Sequence, residues 1–316
     1  MSWRGRIAPR EIAFPSGGGR CAAWHLRAEG EAFASERGRP CVVLAHGFVG
    51  TRDSGLLPYA ERFAGAGLDA LVFDYRYFGA SEGAPRQLLS IRRQHEDYHS
   101  AIACARSLDG VDAGRIVLWG SSFSGGHVVA VAVDDGRVAG AISQTPFMDG
   151  LATLRMLAAH AGVGQLVRLT AAGLRDGAAA LVGREPVTVP AVAAPGALGM
   201  MTSEEAVPGY HAIAGPTWRN EVAARVLLRI GTYRPGARSA DLSCPWLVQI
   251  ADRDTVVPAA AAARRAKGRA EVRRYPIRHF DVYVGEPFER AVADQLDFLR
   301  RHLAPREGPT AAPLTV

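Results

Sequence analysis

Short apolar runs recur along the first half of the chain: CVVLA at 41–45, ALVF at 70–73, RIVLW at 115–119 and VAGAI at 138–142. Runs of this length without polar alternation suit strands buried on both faces, which is the condition of a parallel sheet covered by helices. Helix-forming segments at about 56–66, 90–108 and 123–133 lie between them. Strand and helix therefore alternate, and a doubly wound, mostly parallel α/β sheet is the expected architecture. Ahead of it, residues 11–28 hold two strand-like stretches around Ser16-Gly17-Gly18-Gly19, a turn-forming run that predicts an antiparallel hairpin.

The alternation stops after Ile142 and resumes with WLVQI at 246–250. The intervening 150–243 is too long for one crossover helix and predicts an inserted cap. Leu151, Leu154, Met156, Leu157, Leu166, Leu169, Met200 and Met201 suit cap helices with an apolar underside, with a loop at 190–195. A helix from Pro258 to Gly268, a strand at 271–275 and a helix at 286–303, with Phe288, Val292, Leu299 and Leu303 on one face, close the unit. The expected organisation is a core of 1–149 and 244–303, a helical cap of 150–243 and a frayed, Pro-rich tail of 304–316.

Composition narrows the function classes. The net charge is +6, but the arginines are scattered and Lys267 is the only lysine, so no dense basic tract for nucleic acid exists. Cys21, Cys41, Cys104 and Cys244 show no C-x-x-C spacing and read as small buried hydrophobes of a reducing compartment. MSWRGRIAPR has no apolar core of signal-peptide type, and no apolar run of membrane-spanning length occurs. A cytoplasmic protein without membrane or nucleic-acid partners is expected, its oligomeric state left open, homo-oligomers included.

The run at 115–119 leads directly into Gly120-Ser121-Ser122-Phe123-Ser124-Gly125-Gly126 and then a helical segment. Strand, tight turn and helix in that order are the context of a nucleophile elbow, whose central serine needs small neighbours two before and two after. Gly120 and Ser124 meet that demand around Ser122; a shifted frame would make Ser124 the nucleophile, and a non-catalytic Gly/Ser loop is the plain alternative. Serine needs a base, and the base an orienting acid. Asp254, after the strand at 246–250, is the first choice of acid, with Asp252 and Asp149 as alternatives and helix capping as the structural reading. His279, in the loop before the last helix, is the base. His25, His160, His211 and His302 lack a matching pattern, and His127, five residues after the elbow serine, points elsewhere on a helix. His46-Gly47-Phe48 ends a strand where a second oxyanion donor arises, so Phe48 and Phe123 are the expected backbone donors and His46 a loop-holding residue.

A competing pattern is His95-Glu96-Asp97-Tyr98-His99, which has the H-E-x-x-H spacing of zinc proteases. Its longer form needs Gly at 102 and His at 105, where Ile102 and Ala105 stand, and no glutamate occurs between Glu96 and Glu185.

Together these segments resemble the α/β-hydrolase superfamily, and within it bacterial hydrolases of acetylxylan-esterase-like or X-Pro-dipeptidyl-peptidase-like type. The resemblance covers about residues 10–303 and rests on HGF at 46–48, DYRYFGASEG at 74–83, GSSFSGG at 120–126, DRDTVVP at 252–258 and RHFDVYVGE at 278–286. It implies a Ser122, Asp254 and His279 triad, an oxyanion hole of Phe48 and Phe123, and a serine esterase that needs no cofactor or metal. Ser124 departs from the glycine of many relatives. The implied substrate is a small ester or thioester; thioesterase, lactonase and acyltransferase activities use the same groups, and a non-catalytic binding protein of this fold is the alternative of another class.

Overall fold

The computed structural model describes residues 7–304. The expected hairpin is β1 (Arg10–Ser16) paired antiparallel with β2 (Gly19–Leu26). There follow β3 (Arg39–Ala45), α1 (Leu57–Gly65), β4 (Asp69–Phe73), α2 (Ile91–Arg106), β5 (Val111–Ser121), α3 (Phe123–Asp135) and β6 (Gly140–Gln144). Every anticipated strand and helix of this half is present, and β5 extends beyond the apolar run at both ends.

Between β6 and the next strand of the main sheet come α4 (Gly150–Ala161), α5 (Val163–Leu181), β7 (Thr188–Val189), α6 (Ala206–Ile213), β8 (Val222–Ala223) and α7 (Leu227–Ile230). The chain then returns as β9 (Trp246–Ala251), α8 (Ala259–Ala266), β10 (Glu271–Tyr275) and α9 (Gly285–Leu303). Of the expected tail only Ala304 is covered; the rest falls outside the described residues.

The main sheet has the order β1-β2-β4-β3-β5-β6-β9-β10, parallel from β4 to β10, with the hairpin added antiparallel at one edge. Successive strand residues point to opposite faces, and both faces are covered. Val43, Leu71 and Leu118 face α2 and α3, with Tyr98, Ile102 and Val129. Val42, Val72 and Val117 face α1 and α9, with Tyr59, Phe63, Phe288 and Leu299. Burying each such side chain contributes about 1.5–3 kcal/mol, which explains why the runs carry no polar alternation.

In the inserted segment, α4 and α5 turn Leu154, Leu157, Leu166 and Leu169 toward the core. Leu151 departs from the expected underside and is 40% exposed, as are Val163, Val167, Leu174 and Leu181 along α5 to greater degrees. The short β7–β8 ribbon was not legible as strands, because two-residue pairs carry no periodicity.

The sheet order sets the stage for the site. The loops after β3, β5, β9 and β10 all leave the same, C-terminal edge of parallel strands, where open α/β sheets hold their ligands.

Candidate active site

β5 ends at Ser121, and Ser122 caps α3 with φ 53° and ψ −115°. That conformation is strained for a non-glycine residue. It is held because Ser122 N–H donates to Gln144 O (2.9 Å) and Ser122 O accepts from Phe147 N–H (2.8 Å). The turn is so tight that a Cβ on Gly120 would lie 2.2 Å from Ser124 O, and one on Gly47 2.9 Å from Ser122 Cβ. Because the first obstacle is backbone, no rotamer change relieves it. Gly120→Ala is expected to cost about 3 kcal/mol or more, read as a lower urea midpoint.

His279 Nε2 lies 3.1 Å from Ser122 Oγ, and its Nδ1 lies 2.6 Å from Asp254 Oδ2. Since the carboxylate only accepts, Nδ1 carries the proton and Nε2 faces the serine hydroxyl as acceptor. The other oxygen of Asp254 accepts from the backbone N–H groups of Val256 and Val257, both at 2.8 Å. The loop-capping role and the histidine contact thus use different oxygens. Burial pushes the His279 pKa down, but the charge and hydrogen bond of Asp254, joined by the charge of Glu205, outweigh it and leave the pKa above the ordinary imidazole value.

The competing residues are engaged elsewhere. Asp252 pairs with Arg274. Asp149 caps α4 through Ala152 N–H and pairs with Arg234. Ser124 Oγ, in the rival frame, donates to His46 O (2.5 Å) and lies 2.8 Å from Tyr75 Oη, so it is turned into the protein. Asp74 and Ser81 of the DYRYFGAS stretch brace their own loop: Asp74 accepts from the N–H groups of Arg52 and Ala80, and Ser81 Oγ donates to Asp74 O.

Phe48 follows β3 and Phe123 opens α3, where N–H groups lack intrahelical partners. Their rings meet edge to face at 5.6 Å. His46 packs edge-on against Tyr75 at 4.9 Å, and burial depresses its pKa to about 4. Two cavities share Ser122 and Phe48. The larger, about 750 Å³ counting its solvent-open mouth, is walled by Leu154, Leu157, Met200, Leu227, Ile230 and Val256. The smaller, about 350 Å³, includes His279, Tyr210 and Tyr283.

One buried residue of the site escaped sequence reasoning. Glu205, between β7 and α6, accepts from His279 N–H at 2.9 Å and from Thr255 N–H at 2.9 Å. Glu204-Glu205 has no spacing relation to Asp254 or His279, so no sequence signal marks it.

The H-E-x-x-H pattern is absorbed by packing. His95 Nε2 lies 3.1 Å from His127 Nδ1 and 3.0 Å from Tyr233 Oη, while Glu96 pairs with Arg76 and Arg92. Among the described residues no three His, Cys, Asp or Glu side chains converge as metal ligands. Burial lowers the His95 pKa to about 4 and that of His127 well below the ordinary value. The unfolded chain therefore binds more protons below about pH 6.5, and this contribution to stability, complete above that pH, is lost as pH falls toward 4. On going from pH 7.5 to 4.5 the wild type should lose roughly 2 kcal/mol more unfolding free energy than His95→Gln. Urea titrations at both pH values check this.

A family model described as alpha/beta hydrolase fold matches residues 40–285. The order of the sheet, the strained serine after β5 and this match agree: the chain belongs to the α/β-hydrolase family. It is 42% identical over 298 residues to the quorum-quenching protein AidA of Acinetobacter baumannii, covering 93% of this chain and 95% of that one. It is 32% identical over 197 residues to the thiohydrolase aneE of Aspergillus aculeatus, covering 62% of this chain and 59% of that one. The crystal structure of the α/β hydrolase GrgF from Penicillium sp. sh18 shares the fold, with a TM-score of 0.76 at 24% identity over 94% of this chain and 99% of that one. No helix among the described residues is long and apolar enough to cross a membrane.

Proposed function

We propose that this α/β hydrolase is a serine esterase that cleaves carboxylic esters of apolar acyl groups through Ser122, His279 and Asp254. The observation that carries the reading is the unbroken path from Ser122 Oγ through His279 to Asp254 at the mouth of an apolar cavity. His279 Nε2 takes the Ser122 proton as Oγ attacks the carbonyl carbon. The C=O electron pair moves onto oxygen, where the N–H groups of Phe48 and Phe123 receive the charge. Such donors are worth about 3–4 kcal/mol each in the transition state. The intermediate collapses, the alkoxide leaves with the proton from His279, and water repeats the sequence on the acyl-enzyme. These steps call for no cofactor.

In this reading 150–243 is a cap that covers the acyl group, since α4, α7 and Met200 wall the larger cavity. The smaller cavity, on the His279 side, takes the leaving group. The free thiols of Cys21, Cys41, Cys104 and Cys244 support a reducing, cytoplasmic setting. A second reading keeps the triad and changes the bond: a thioester or a lactone. The name of the thiohydrolase relative favours the thioester.

p-Nitrophenyl esters of increasing acyl length, a thioester series and a lactone series decide between them. For esters, kcat/KM should rise with acyl length until the cavity is full. Leu157→Trp should reduce the longest acyl substrates by at least about tenfold while sparing acetate. No labelling of wild type by a fluorophosphonate, with no turnover of any series, would point instead to a non-catalytic binding protein.

A further inference from the structure

Glu205 stands 50 residues before Thr255 and 74 before His279, yet its carboxylate touches both. The residue is 6% exposed. Oε1 accepts from the N–H and the hydroxyl of Thr255, the neighbour of Asp254, and Oε2 accepts from the backbone N–H of His279. All three partners are donors. A buried anion is costly unless its hydrogen-bonding capacity is met, and here it is met only if the loops after β9 and β10 keep their present separation.

The same segment reaches a third loop. Tyr210 of α6 donates through Oη to Phe48 O at 2.5 Å. Upstream, Met200, Thr202 and Ser203 wall the larger cavity, as Thr255 does from the other side. The stretch 200–210 is thus joined to the cavity wall, the acid loop, the histidine loop and the loop of Phe48.

We propose that Glu205 is a positioning residue of the triad, a second carboxylate that locks the Asp254 and His279 loops together and favours the imidazolium formed when His279 takes the serine proton. The inference rests on the triad reading above. Its electrostatic part follows from what faces His279: Asp254 at Nδ1, Ser122 at Nε2, Glu205 at N–H and the Phe280 ring edge-on at 5.0 Å. Tyr283, Tyr210 and His46 share the smaller cavity with it, and burial keeps all three neutral near pH 7, the Tyr283 phenol pushed up to about 12, the Tyr210 phenol raised as well and the imidazole down to about 4. The charged groups of that set are Asp254 and Glu205.

Removing the Glu205 charge takes away support for the protonated ring, so the pKa falls and the acid limb of kcat/KM moves to lower pH. Glu205→Gln should lower the limb by about 0.5–1 pH unit. It should reduce kcat roughly 10- to 100-fold and change KM less than about threefold. Glu205→Asp, which keeps the charge but shortens its reach, should lose rate and keep the midpoint. The test is NMR titration of the His279 ring in full-length wild type, Glu205→Gln and Glu205→Asp, assigned by its loss in His279→Asn, alongside the pH–rate profiles.

A midpoint that does not fall in folded Glu205→Gln, or that falls equally in Glu205→Asp, overturns the proposal. If Glu205→Gln does not fold, Thr255→Val carries the test: it removes the hydroxyl partner alone and should lower kcat several-fold with the limb unmoved, and an unchanged kcat overturns the positioning role. The NMR midpoint does not depend on Ser122 chemistry. Failure of the triad reading would appear separately, as wild type that a fluorophosphonate does not label.

Discussion

Ser122→Ala is expected to lower kcat for ester hydrolysis by roughly 10⁴- to 10⁶-fold with little change in the urea midpoint. The hydroxyl removed is the group 3.1 Å from His279 Nε2, and no other serine oxygen among the described residues contacts that ring. The backbone at Ser122 is fixed by Gln144 O and Phe147 N–H and not by the side chain, so alanine inherits the same turn. Ser124→Ala should do the reverse. It deletes a buried hydroxyl donating to His46 O and should cost about 1–3 kcal/mol of stability, with kcat reduced far less. Initial rates on the best p-nitrophenyl ester, with active-site titration by a fluorophosphonate, measure both. A Ser122→Ala protein within tenfold of wild type would remove the serine mechanism, and one that chelators inactivate would reopen the zinc reading of His95 and His99.

Asp254→Asn should cost about 10⁴-fold in kcat, the size seen for such a change in a serine protease triad. Here the geometry says why. Oδ1 is held by two backbone donors, from Val256 and Val257. The asparagine carbonyl oxygen must take that place, which turns its NH₂ toward His279 Nδ1. A donor there requires Nδ1 to accept, so the ring proton moves to Nε2 and faces Ser122, where a base is needed. Asp252→Asn, which only weakens the exposed pair with Arg274, should stay within about threefold. Equal losses in the two variants would show that the acid has been misassigned.

Much of this molecule was legible before its structure. The parallel strands are visible because residues such as Val42 and Val43 face opposite layers and both layers are apolar. The inserted segment 150–243 was visible only as a length, and its details were not. Leu151 and the outer stripe of α5 face solvent, and β7–β8 is too short to leave a period. The H-E-x-x-H spacing was real as a helical spacing. What it meant depended on His127 and Tyr233, which no local pattern connects to His95.

The order of strands and helices, the tight turn around Gly120-Ser121-Ser122 and the placing of Asp254 and His279 in loops that follow strands were readable from the residues alone. Those are local consequences of burial and of small residues where a Cβ does not fit. Which serine lies beside His279, which of three aspartates meets that ring, that Glu205 joins their loops and that the space beside Ser122 is apolar emerged only from the packed chain. The reason is geometric. The sheet order β5-β6-β9-β10 brings loops 157 residues apart, at Ser122 and His279, within hydrogen-bonding distance, and whether two side chains at such separation differ by one ångström is set by the packing of everything between them.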